Sequence, residues 1–370
     1  MSKLSKSVIL NNGVKLKNSV VMAPMTTWSS NDDYTVSDEE LIYYKYRNSG
    51  AGMIITGCTH IQENGIGFTN EFAAYNDTFI PGLKKLATVI KENGAKAILQ
   101  INHAGNKALP NLIKGEVVSS SSVETVATDF APALTPKELS EKEIEVIIRD
   151  FGETTRRAIE AGFDGVEIHG AHGFLLQNFV SPFFNKRKDQ WGGTLEKRLA
   201  FPIAVVTEIK RVINQYAQKE FILGYRISPD EPMEGALRIK DTFSLIDKLI
   251  ELNVSYIHAS LPDALQSKAV DATNEKTYLD ELSQYINKRV LFVAAGTIQT
   301  PEQAELVIEN GALPAIGHAF ITDPLWMQKA ENGESENIYL TIKKDSVEEL
   351  KLPKKLWSAI QNSGSWFTIE

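Results

Sequence analysis

Cysteine is almost absent from this sequence of 370 residues, in which Cys58 is the only one. A single thiol excludes a disulfide within the chain, and it also excludes a zinc or iron–sulfur site built from four cysteines of one chain. Long hydrophobic runs are lacking as well, since no apolar segment approaches the roughly 18 residues that a membrane-spanning helix needs. The sequence therefore favours neither a disulfide-stapled nor a membrane-spanning protein.

Positive charge is also in short supply. Lysine and arginine together number 39, against 47 aspartates and glutamates, and the formal net charge is -8. Binding to nucleic acid or to an anionic membrane surface generally requires a basic face, so we expect small-molecule partners instead. The apolar stretch near the N-terminus is too short for a signal peptide, which predicts a cytoplasmic protein.

Eight short apolar runs alternate with amphipathic stretches along the chain. Strands of this kind predict a parallel sheet covered by helices, and at this length they predict a closed (β/α)₈ TIM barrel. An open, doubly wound sheet is the alternative, but "MAPMTTWSS" after the first run lacks the glycine-rich turn that such a sheet normally uses for a dinucleotide. The eight runs are residues 19–24, 53–59, 95–101, 164–169, 221–227, 255–261, 290–296 and 314–320.

Three of the intervening stretches have clear helix boundaries. Residues 37–50, 139–162 and 300–311 each have a serine or threonine that can cap a helix at their start, namely Ser37, Ser140 and Thr300, and each end in glycine. Near the N-terminus, residues 7–16 ("SVILNNGVKL") predict a β-hairpin with Asn12-Gly13 as its turn, which we expect to close the floor of the barrel.

Two further segments extend the barrel. Residues 102–139 are rich in serine, proline and threonine, and a long irregular segment of this kind in a barrel usually builds the mouth of the site. We expect residues 1–330 to form one barrel domain. The polar and then amphipathic residues 331–370 are expected to form a C-terminal extension that packs on the barrel or on another subunit of a homo-oligomer.

Polar residues cluster where the predicted strands end. In a parallel barrel the catalytic groups lie at the carboxyl ends of the strands, so these positions are the candidate site. They include Pro24, Met25 and Thr26 after the first strand, Cys58 on the second, Gln100 and His103 on the third, His169 and His172 on the fourth, Arg226 on the fifth, Gly296 on the seventh, and Gly317 and His318 within the eighth.

The two histidines in "EIHGAHGFL" admit three interpretations. They could bind a metal, but Cys58, His103 and the nearby acids offer no clear third ligand. They could also simply pack in the core. We favour a third role for His169 and His172, in which paired imidazole N–H groups grip the oxygen of a substrate carbonyl.

Residues 165–201 carry a resemblance to a known family. This segment, "GVEIHGAHGFLLQNFVSPFFNKRKDQWGGTLEKRLAF", is similar throughout to the strand-four region of the old yellow enzyme family of FMN-dependent NAD(P)H oxidoreductases, and "VVMAPMT" and "AILQINHAG" agree with it. The resemblance covers roughly residues 5–330. The residues that fall in the family spacing are Asn185, Arg187, Asp189, Gly192, Gly193, Glu196, Arg198 and Phe201.

The resemblance implies FMN as cofactor and NADH or NADPH as reductant. Gln100 and Arg226 match family positions that bind the flavin pyrimidine, where a fixed positive charge favours the anionic reduced ring. Thr26 resembles the threonine that contacts the flavin in the yeast-type branch. The remaining cofactor contacts would come from the backbone at Pro24 and Met25, from Cys58 packed near the ring, and from amide donors for the phosphate at Gly296 and Gly317.

Three positions depart from the family pattern. His318 replaces the usual arginine after the strand-eight glycine, and no arginine follows Arg289, so the compensation of the phosphate charge differs. Phe174 stands where many relatives have a tyrosine that donates a proton. Trp28 occupies an aromatic position that is tyrosine in one branch, and it would reshape the substrate side of the ring.

The sequence thus predicts an FMN barrel that oxidises NADH or NADPH and passes hydride to an activated alkene, a quinone or a nitro compound. Relatives with an iron–sulfur cluster are excluded by the single cysteine. One alternative is a flavin-free phosphate-binding aldolase or isomerase, which a Schiff-base lysine at a strand end would favour, but none is apparent. Another alternative is a degenerate FMN-binding module, which Phe174 and His318 suggest.

Overall fold

Eight parallel strands close into a barrel in the computed structural model, which describes residues 2–127, 132–364 and 366–370. Each strand pairs with the next in the chain, and the eighth pairs with the first, which closes the sheet. The predicted (β/α)₈ TIM barrel is confirmed. The first to eighth strands are Val21–Met22, Met53–His60, Lys96–Asn102, Gly165–Gly170, Ile222–Ile227, Tyr256–Ser260, Leu291–Ala295 and Leu313–Ile316.

Helices cover the outer face of the barrel. Ser37, Ser140 and Thr300 cap the helices that begin at Asp38, Glu141 and Pro301, and each side chain accepts a hydrogen bond from the backbone N–H three residues later, as the sequence predicts. In chain order the helices are α1 Asp38–Arg47, α2 Ile80–Lys91, α3 Glu141–Glu160, α4 Leu175–Val180, α5 Leu195–Tyr216, α6 Ile239–Glu251, α7 Tyr278–Ile286, α8 Pro301–Glu309, α9 His318–Thr322, α10 Trp326–Asn332 and α11 Lys354–Asn362.

The first and eighth strands are shorter than the sequence indicates. The first strand pairs only through Val21 and Met22, so its neighbour loses its hydrogen-bonding partner after Ile316. Gly317 then begins a turn, and His318 opens helix α9. The prediction that Gly317 and His318 lie within the eighth strand is therefore wrong, although both residues remain at its carboxyl end.

The predicted hairpin covers the amino-terminal end of the barrel. Its strands, Val8–Ile9 and Lys15–Leu16, pair antiparallel, and the side chains of Asn11 and Asn12 donate to the carbonyl oxygens just before the sixth and fifth strands. Leu16 is fully buried inside the barrel with residues of several strands. This end is closed, so a ligand must enter at the carboxyl ends of the strands.

The segment 331–370 lies against the barrel of the same chain. Within it, Ile342 pairs with Ile369 in a short parallel bridge. The buried guanidinium of Arg47, on α1, donates a hydrogen bond to the carbonyl oxygen of Leu350 at 2.9 Å. These contacts hold the last described residues, 366–370, close to the mouth of the barrel.

The long segment 102–139 contains little regular structure. Its short strands Val118–Ser119 and Lys137–Glu138 pair with each other, and residues 128–131, which fall within the predicted irregular region, lie outside the described residues. In the part of the chain that the structure describes, no helix is long and apolar enough to cross a membrane.

Candidate active site

A cavity of about 380 Å³, the main cavity, opens at the carboxyl ends of the strands. Its size is typical of a small-molecule site. It gathers ten of the thirteen residues predicted to act in catalysis or cofactor binding, while Gly296, Gly317 and His318 lie outside its lining. The lining residues are Pro24, Met25, Thr26, Trp28, Cys58, Gly67, Phe68, Gln100, Lys107, His169, His172, Phe174, Arg226 and Trp366.

Gln100 and Glu167 lie opposite each other on the third and fourth strands. Gln100 Nε2 donates to Glu167 Oε1 at 2.7 Å, and Glu167 Oε2 lies 2.9 Å from His258 Nδ1. Burial opposes ionisation of Glu167, but His258, Arg226 and Gln100 outweigh it and lower the carboxyl pKa, while burial lowers the pKa of His258. We therefore assign an anionic Glu167 that accepts from a neutral His258.

Arg226 brings a positive charge to the floor of the main cavity, by which we mean the part formed by Thr26, Cys58, Gln100 and Arg226. It lies on the fifth strand between His169 and His258 of the neighbouring strands, and its Nη2 donates to Ser260 Oγ at 3.0 Å. Its Nε is buried and has no hydrogen-bond partner among the described residues. A buried donor left unpaired costs about 1–3 kcal/mol, so this N–H fits an acceptor on a bound ligand, such as a carbonyl oxygen or ring nitrogen of FMN.

The rings of His169 and His172 lie side by side, with centroids 5.0 Å apart. Desolvation, which is nearly complete for His169 and less so for the more exposed His172, lowers the pKa of both rings, and the charge of Arg226 lowers it further, so each is neutral at pH 7 and carries one N–H. His169 Nδ1 accepts from the amide of Ala171 at 3.3 Å, which places the N–H on Nε2.

Ser260 selects the tautomer of the second histidine. Its hydroxyl already accepts from Arg226, so its own hydrogen is free to go to His172 Nε2, which lies 2.7 Å away. That assignment leaves the N–H of His172 on Nδ1. The structure thus brings two neutral imidazole donors together at one wall of the main cavity, and their role toward a substrate stays a prediction.

Aromatic rings form a continuous side of the main cavity, the aromatic wall, which consists of Trp28, Phe68, Phe174 and Trp366. Trp28 packs edge-on against Trp366 at 5.1 Å and against Phe68 at 5.5 Å, and Phe68 lies 6.1 Å from Phe174. Phe174 in turn lies 4.6 Å from the ring of His169. The wall is apolar and reaches from the histidine pair to the C-terminal segment.

Thr26 and Cys58 border the floor of the cavity. The hydroxyl of Thr26 accepts the backbone N–H of Cys58 at 3.4 Å. The Cys58 thiol donates to the side-chain oxygen Oε1 of Gln100 at 3.5 Å, and burial raises the pKa of the thiol, which disfavours the thiolate. Cys58 is therefore suited to packing beneath a ring and unsuited to nucleophilic attack.

Gly296 and Gly317 lie where the chain backbone comes closest at the ends of the seventh and eighth strands. Gly296 has a φ of +153°, and a Cβ there would meet the backbone of Leu261 and of Ala264 at 2.7 Å. A Cβ on Gly317 would lie 3.1 Å from the sulfur of Met25. The neighbouring backbone excludes a side chain at Gly296, whereas at Gly317 the Met25 side chain would have to shift slightly, and this close packing fits a phosphate cradled by backbone amides beside the main cavity.

His318 lies next to this glycine pair. Its ring contacts Phe367 at a centroid distance of 4.6 Å and lies 6.1 Å from Trp366. Desolvation lowers its pKa below the ordinary histidine value, so without a bound anion the ring is mostly neutral at pH 7. A phosphate at this position would raise that pKa again, because it favours the imidazolium.

FMN affinity is therefore expected to fall as pH rises through the pKa that His318 has in the FMN complex. Protonation of His318 favours the complex below that pKa, and this advantage disappears above it. The loss of FMN affinity is about tenfold for each unit by which the phosphate raises the pKa. Fluorescence titration of the apoprotein with FMN at several pH values measures the effect. Riboflavin, which has no phosphate, serves as the control ligand.

Two variants separate His318 from the titration of the phosphate itself. His318→Arg keeps a fixed charge and is expected to flatten the pH profile, whereas His318→Gln should show the weaker affinity of the wild type at high pH across the whole range. Wild type, His318→Arg and His318→Gln with the same pH profile would show that the backbone amides alone hold the phosphate.

The structure adds site residues that sequence reasoning missed, namely Lys107, Glu167, His258, Ser260 and Trp366. Glu167 and His258 are polar residues inside otherwise apolar strand runs, which was a readable signal. Lys107 and Trp366 lie outside the strands, and no local pattern marks them. Among the described residues, no three His, Cys, Asp or Glu side chains are grouped so that they could hold a metal ion.

Comparison with known proteins adds independent findings. Residues 6–337 match the family model described as the NADH:flavin oxidoreductase / NADH oxidase family. The chain is 42% identical over 356 residues to the Bacillus subtilis protein named "Probable NADH-dependent flavin oxidoreductase YqiG", covering 96% of this chain and 94% of that one. It is 38% identical over 361 residues to an NADH:acrylate oxidoreductase of Vibrio harveyi, covering 96% of this chain and 36% of that one.

A solved structure agrees with these matches. The old yellow enzyme from Trypanosoma cruzi superposes with a TM-score of 0.75 at 26% sequence identity, covering 90% of this chain and 92% of that one. The similarity therefore extends over nearly the whole fold.

Proposed function

The chain belongs to the NADH:flavin oxidoreductase / NADH oxidase family and is an FMN-dependent NAD(P)H oxidoreductase of old yellow enzyme type, and we propose that its acceptor is a small, planar, electrophilic molecule such as an activated alkene, a quinone or a nitro compound. The observation that carries this proposal is the pair of neutral imidazole donors, His169 and His172, beside the aromatic wall.

The histidine pair would polarise an acceptor. Two N–H groups directed at one carbonyl or nitro oxygen stabilise the negative charge that develops there when hydride adds to the conjugated carbon. The aromatic wall excludes water and favours a flat ligand. FMN, when bound, supplies the hydride, and the residues of this chain bind and orient the acceptor.

The floor residues would hold the flavin ring. Arg226 offers its unpaired Nε–H and a positive charge, and Gln100 is oriented by Glu167. Thr26 and Cys58, with the backbone at residues 24–25, would contact the ring from the first and second strands. Gly296, Gly317 and His318 would receive the phosphate, since they are the predicted cofactor residues that lie beside the main cavity rather than in it.

The relatives leave the acceptor open. The Vibrio harveyi protein is named for acrylate, but the match covers only 36% of it. Its name therefore does not tell whether the part that matches this chain acts on acrylate. Both relatives carry NADH in their names, which supports NADH as the reductant here. A flavin-free aldolase or isomerase is not favoured, because the family match identifies an oxidoreductase.

We also propose that residues 1–330 form the catalytic barrel and that residues 331–370 are an extension that completes the site, because Trp366 lines the main cavity. The likeness to pyridine-nucleotide-dependent enzymes supports a cytoplasmic location, where those coenzymes are abundant. A homo-oligomer, proposed at the sequence level, can be checked by light scattering of the holoprotein.

The visible spectrum of the purified protein, followed by anaerobic addition of NADH, tests the function. We expect a yellow protein whose flavin absorbance bleaches with NADH and returns with 2-cyclohexenone, a quinone or a nitroaromatic compound. A protein that binds FMN and bleaches but transfers nothing to any of these acceptors would contradict the proposed acceptor class. FMN binding without bleaching by NADH or NADPH would identify a degenerate module, which the presence of Phe174 makes a specific alternative.

A further inference from the structure

A second cavity of about 400 Å³ adjoins the main cavity. Lys107 and His172 line both, so a ligand held at His172 can extend from one into the other. The far part of the second cavity is apolar and includes Phe184, Pro232 and Met233. His172 is the only individually predicted site residue among the described residues that line it, although part of the segment 102–139 also contributes to its wall.

One buried polar side chain in the second cavity lacks a partner. Asn106 lines it and is 1% exposed, yet neither the Nδ2 nor the Oδ1 of its side chain has a hydrogen bond to the described residues. An amide buried in this way costs free energy unless a ligand or water satisfies it. Beside it, Lys107 Nζ donates to the carbonyl oxygen of His172 at 2.6 Å and retains two further N–H donors.

The charges in the second cavity are arranged in order. Lys107 lies at the junction with the main cavity and is the only cation among the described residues that line the second. Asp230 and Glu231 line the second cavity alone, away from this junction. A ligand that matches this order has an anionic group near the histidine pair and a neutral, hydroxyl-bearing group beyond it.

The nearest arginine does not change this pattern. Arg238 donates through its two terminal nitrogens to the backbone carbonyl oxygens of Glu231, Leu237 and Met233, at 2.8–3.0 Å. Burial is the largest influence on the pKa of Asp230 and raises it. The charge of Arg238 lowers that pKa, but by less than burial raises it. Asp230 is held in place by Tyr278, whose hydroxyl donates to it at 2.5 Å.

The geometry points to the second cavity as the binding site for the ADP half of NADH. With the nicotinamide at His172, the pyrophosphate would lie at Lys107, the adenine would lie against the apolar residues, and the adenosine ribose would lie near Asp230. A carboxylate accepts hydrogen bonds from the ribose hydroxyls of NADH but repels the 2′-phosphate of NADPH. This inference rests on the proposed use of NADH and adds the residues that select it.

Anaerobic stopped-flow reduction of the holoprotein by NADH and by NADPH tests the assignment. We expect the apparent Kd for NADPH to exceed that for NADH by about tenfold or more, because like charges face each other in the NADPH complex. Met233→Arg places a cation in the second cavity and should lower the ratio of the Kd for NADPH to the Kd for NADH about tenfold, because the added charge favours only the coenzyme that carries the 2′-phosphate. Glu234→Gln makes the same change in net charge at an exposed residue outside the cavity and is the matched control.

ADP-ribose provides a readout that does not depend on turnover. Calorimetric titration of the oxidised holoprotein should show binding that NADH displaces and that Met233→Glu weakens at least several-fold. Three results would each overturn the coenzyme assignment while leaving flavin reduction intact. They are equal Kd values for NADH and NADPH, no difference between Met233→Arg and Glu234→Gln, and no competition between ADP-ribose and NADH. Absence of reduction by either coenzyme would instead overturn the function itself, and this site with it.

Discussion

Alanine in place of His172 is expected to slow the reduction of 2-cyclohexenone by the reduced enzyme about 10²–10³-fold, which corresponds to about 2.7–4 kcal/mol of lost stabilisation of the developing oxyanion. His169→Ala should act similarly, because each ring carries one N–H and neither can replace the other. Desolvation and the charge of Arg226 lower the pKa of both histidines, so both remain neutral donors at pH 7. Stopped-flow measurement of the oxidative half-reaction gives the rate directly.

The same variants should retain FMN, because the residues proposed to hold the flavin lie on the floor of the cavity. Titration with a phenol, monitored through the flavin spectrum, should show that the phenol binds more weakly. The Kd for FMN, measured separately, should be unchanged. His172→Asn keeps an N–H donor and is expected to recover part of the rate. Release of FMN from either alanine variant would reassign the histidine pair to cofactor binding or to structure.

Tyrosine in place of Phe174 is expected to accelerate enone reduction, because addition of hydride at the β-carbon must be followed by a proton at the α-carbon. General acid catalysis typically contributes about 10²–10⁴-fold, and phenylalanine contributes none of it. The ring of Phe174 stacks near His169, and its Cζ is directed toward Gly67, 3.2 Å from where a Cβ on that glycine would lie. Gly67 also lines the main cavity, so the hydroxyl added at residue 174 would lie at the edge of that cavity.

Each half-reaction should be measured separately for this variant. Reduction by NADH and turnover with a quinone need no acid at carbon and should be nearly unchanged, whereas the oxidative half-reaction with 2-cyclohexenone should rise. Phe68→Tyr, which adds a hydroxyl to another ring of the aromatic wall, is the matched control. A wild type that already reduces the enone rapidly, or a Phe174→Tyr variant with no gain, would mean that another group in the cavity donates the proton.

The strand pattern made the barrel predictable. Eight apolar runs and three helix-capping signals reflect local rules, and the structure follows them closely. The predicted eighth strand is longer than the observed one because the observed strand ends where its partner, the very short first strand, ends. Strand pairing is a tertiary effect that a local apolar run does not encode. Gly317 and His318 consequently lie in a turn and a helix.

The site was predictable where it lies on strands. His169, Gln100 and Arg226 end up together because parallel strands bring their carboxyl ends to one edge, which is a property of the fold. Lys107 and Trp366 reach the same cavity from a loop after the third strand and from the C-terminal segment. Their positions depend on long-range packing, such as the contacts of the extension with α1, so sequence spacing could not reveal them.

The contact between Trp28 and Trp366 has an optical consequence. Two of the five tryptophans of the chain lie together at the wall of the cavity, on segments more than three hundred residues apart. Indole emission overlaps flavin absorption, so a flavin bound within the cavity would quench the fluorescence of both by energy transfer. The aromatic wall thus gives the protein a built-in fluorescent reporter of cofactor occupancy and of the position of its own C-terminal segment.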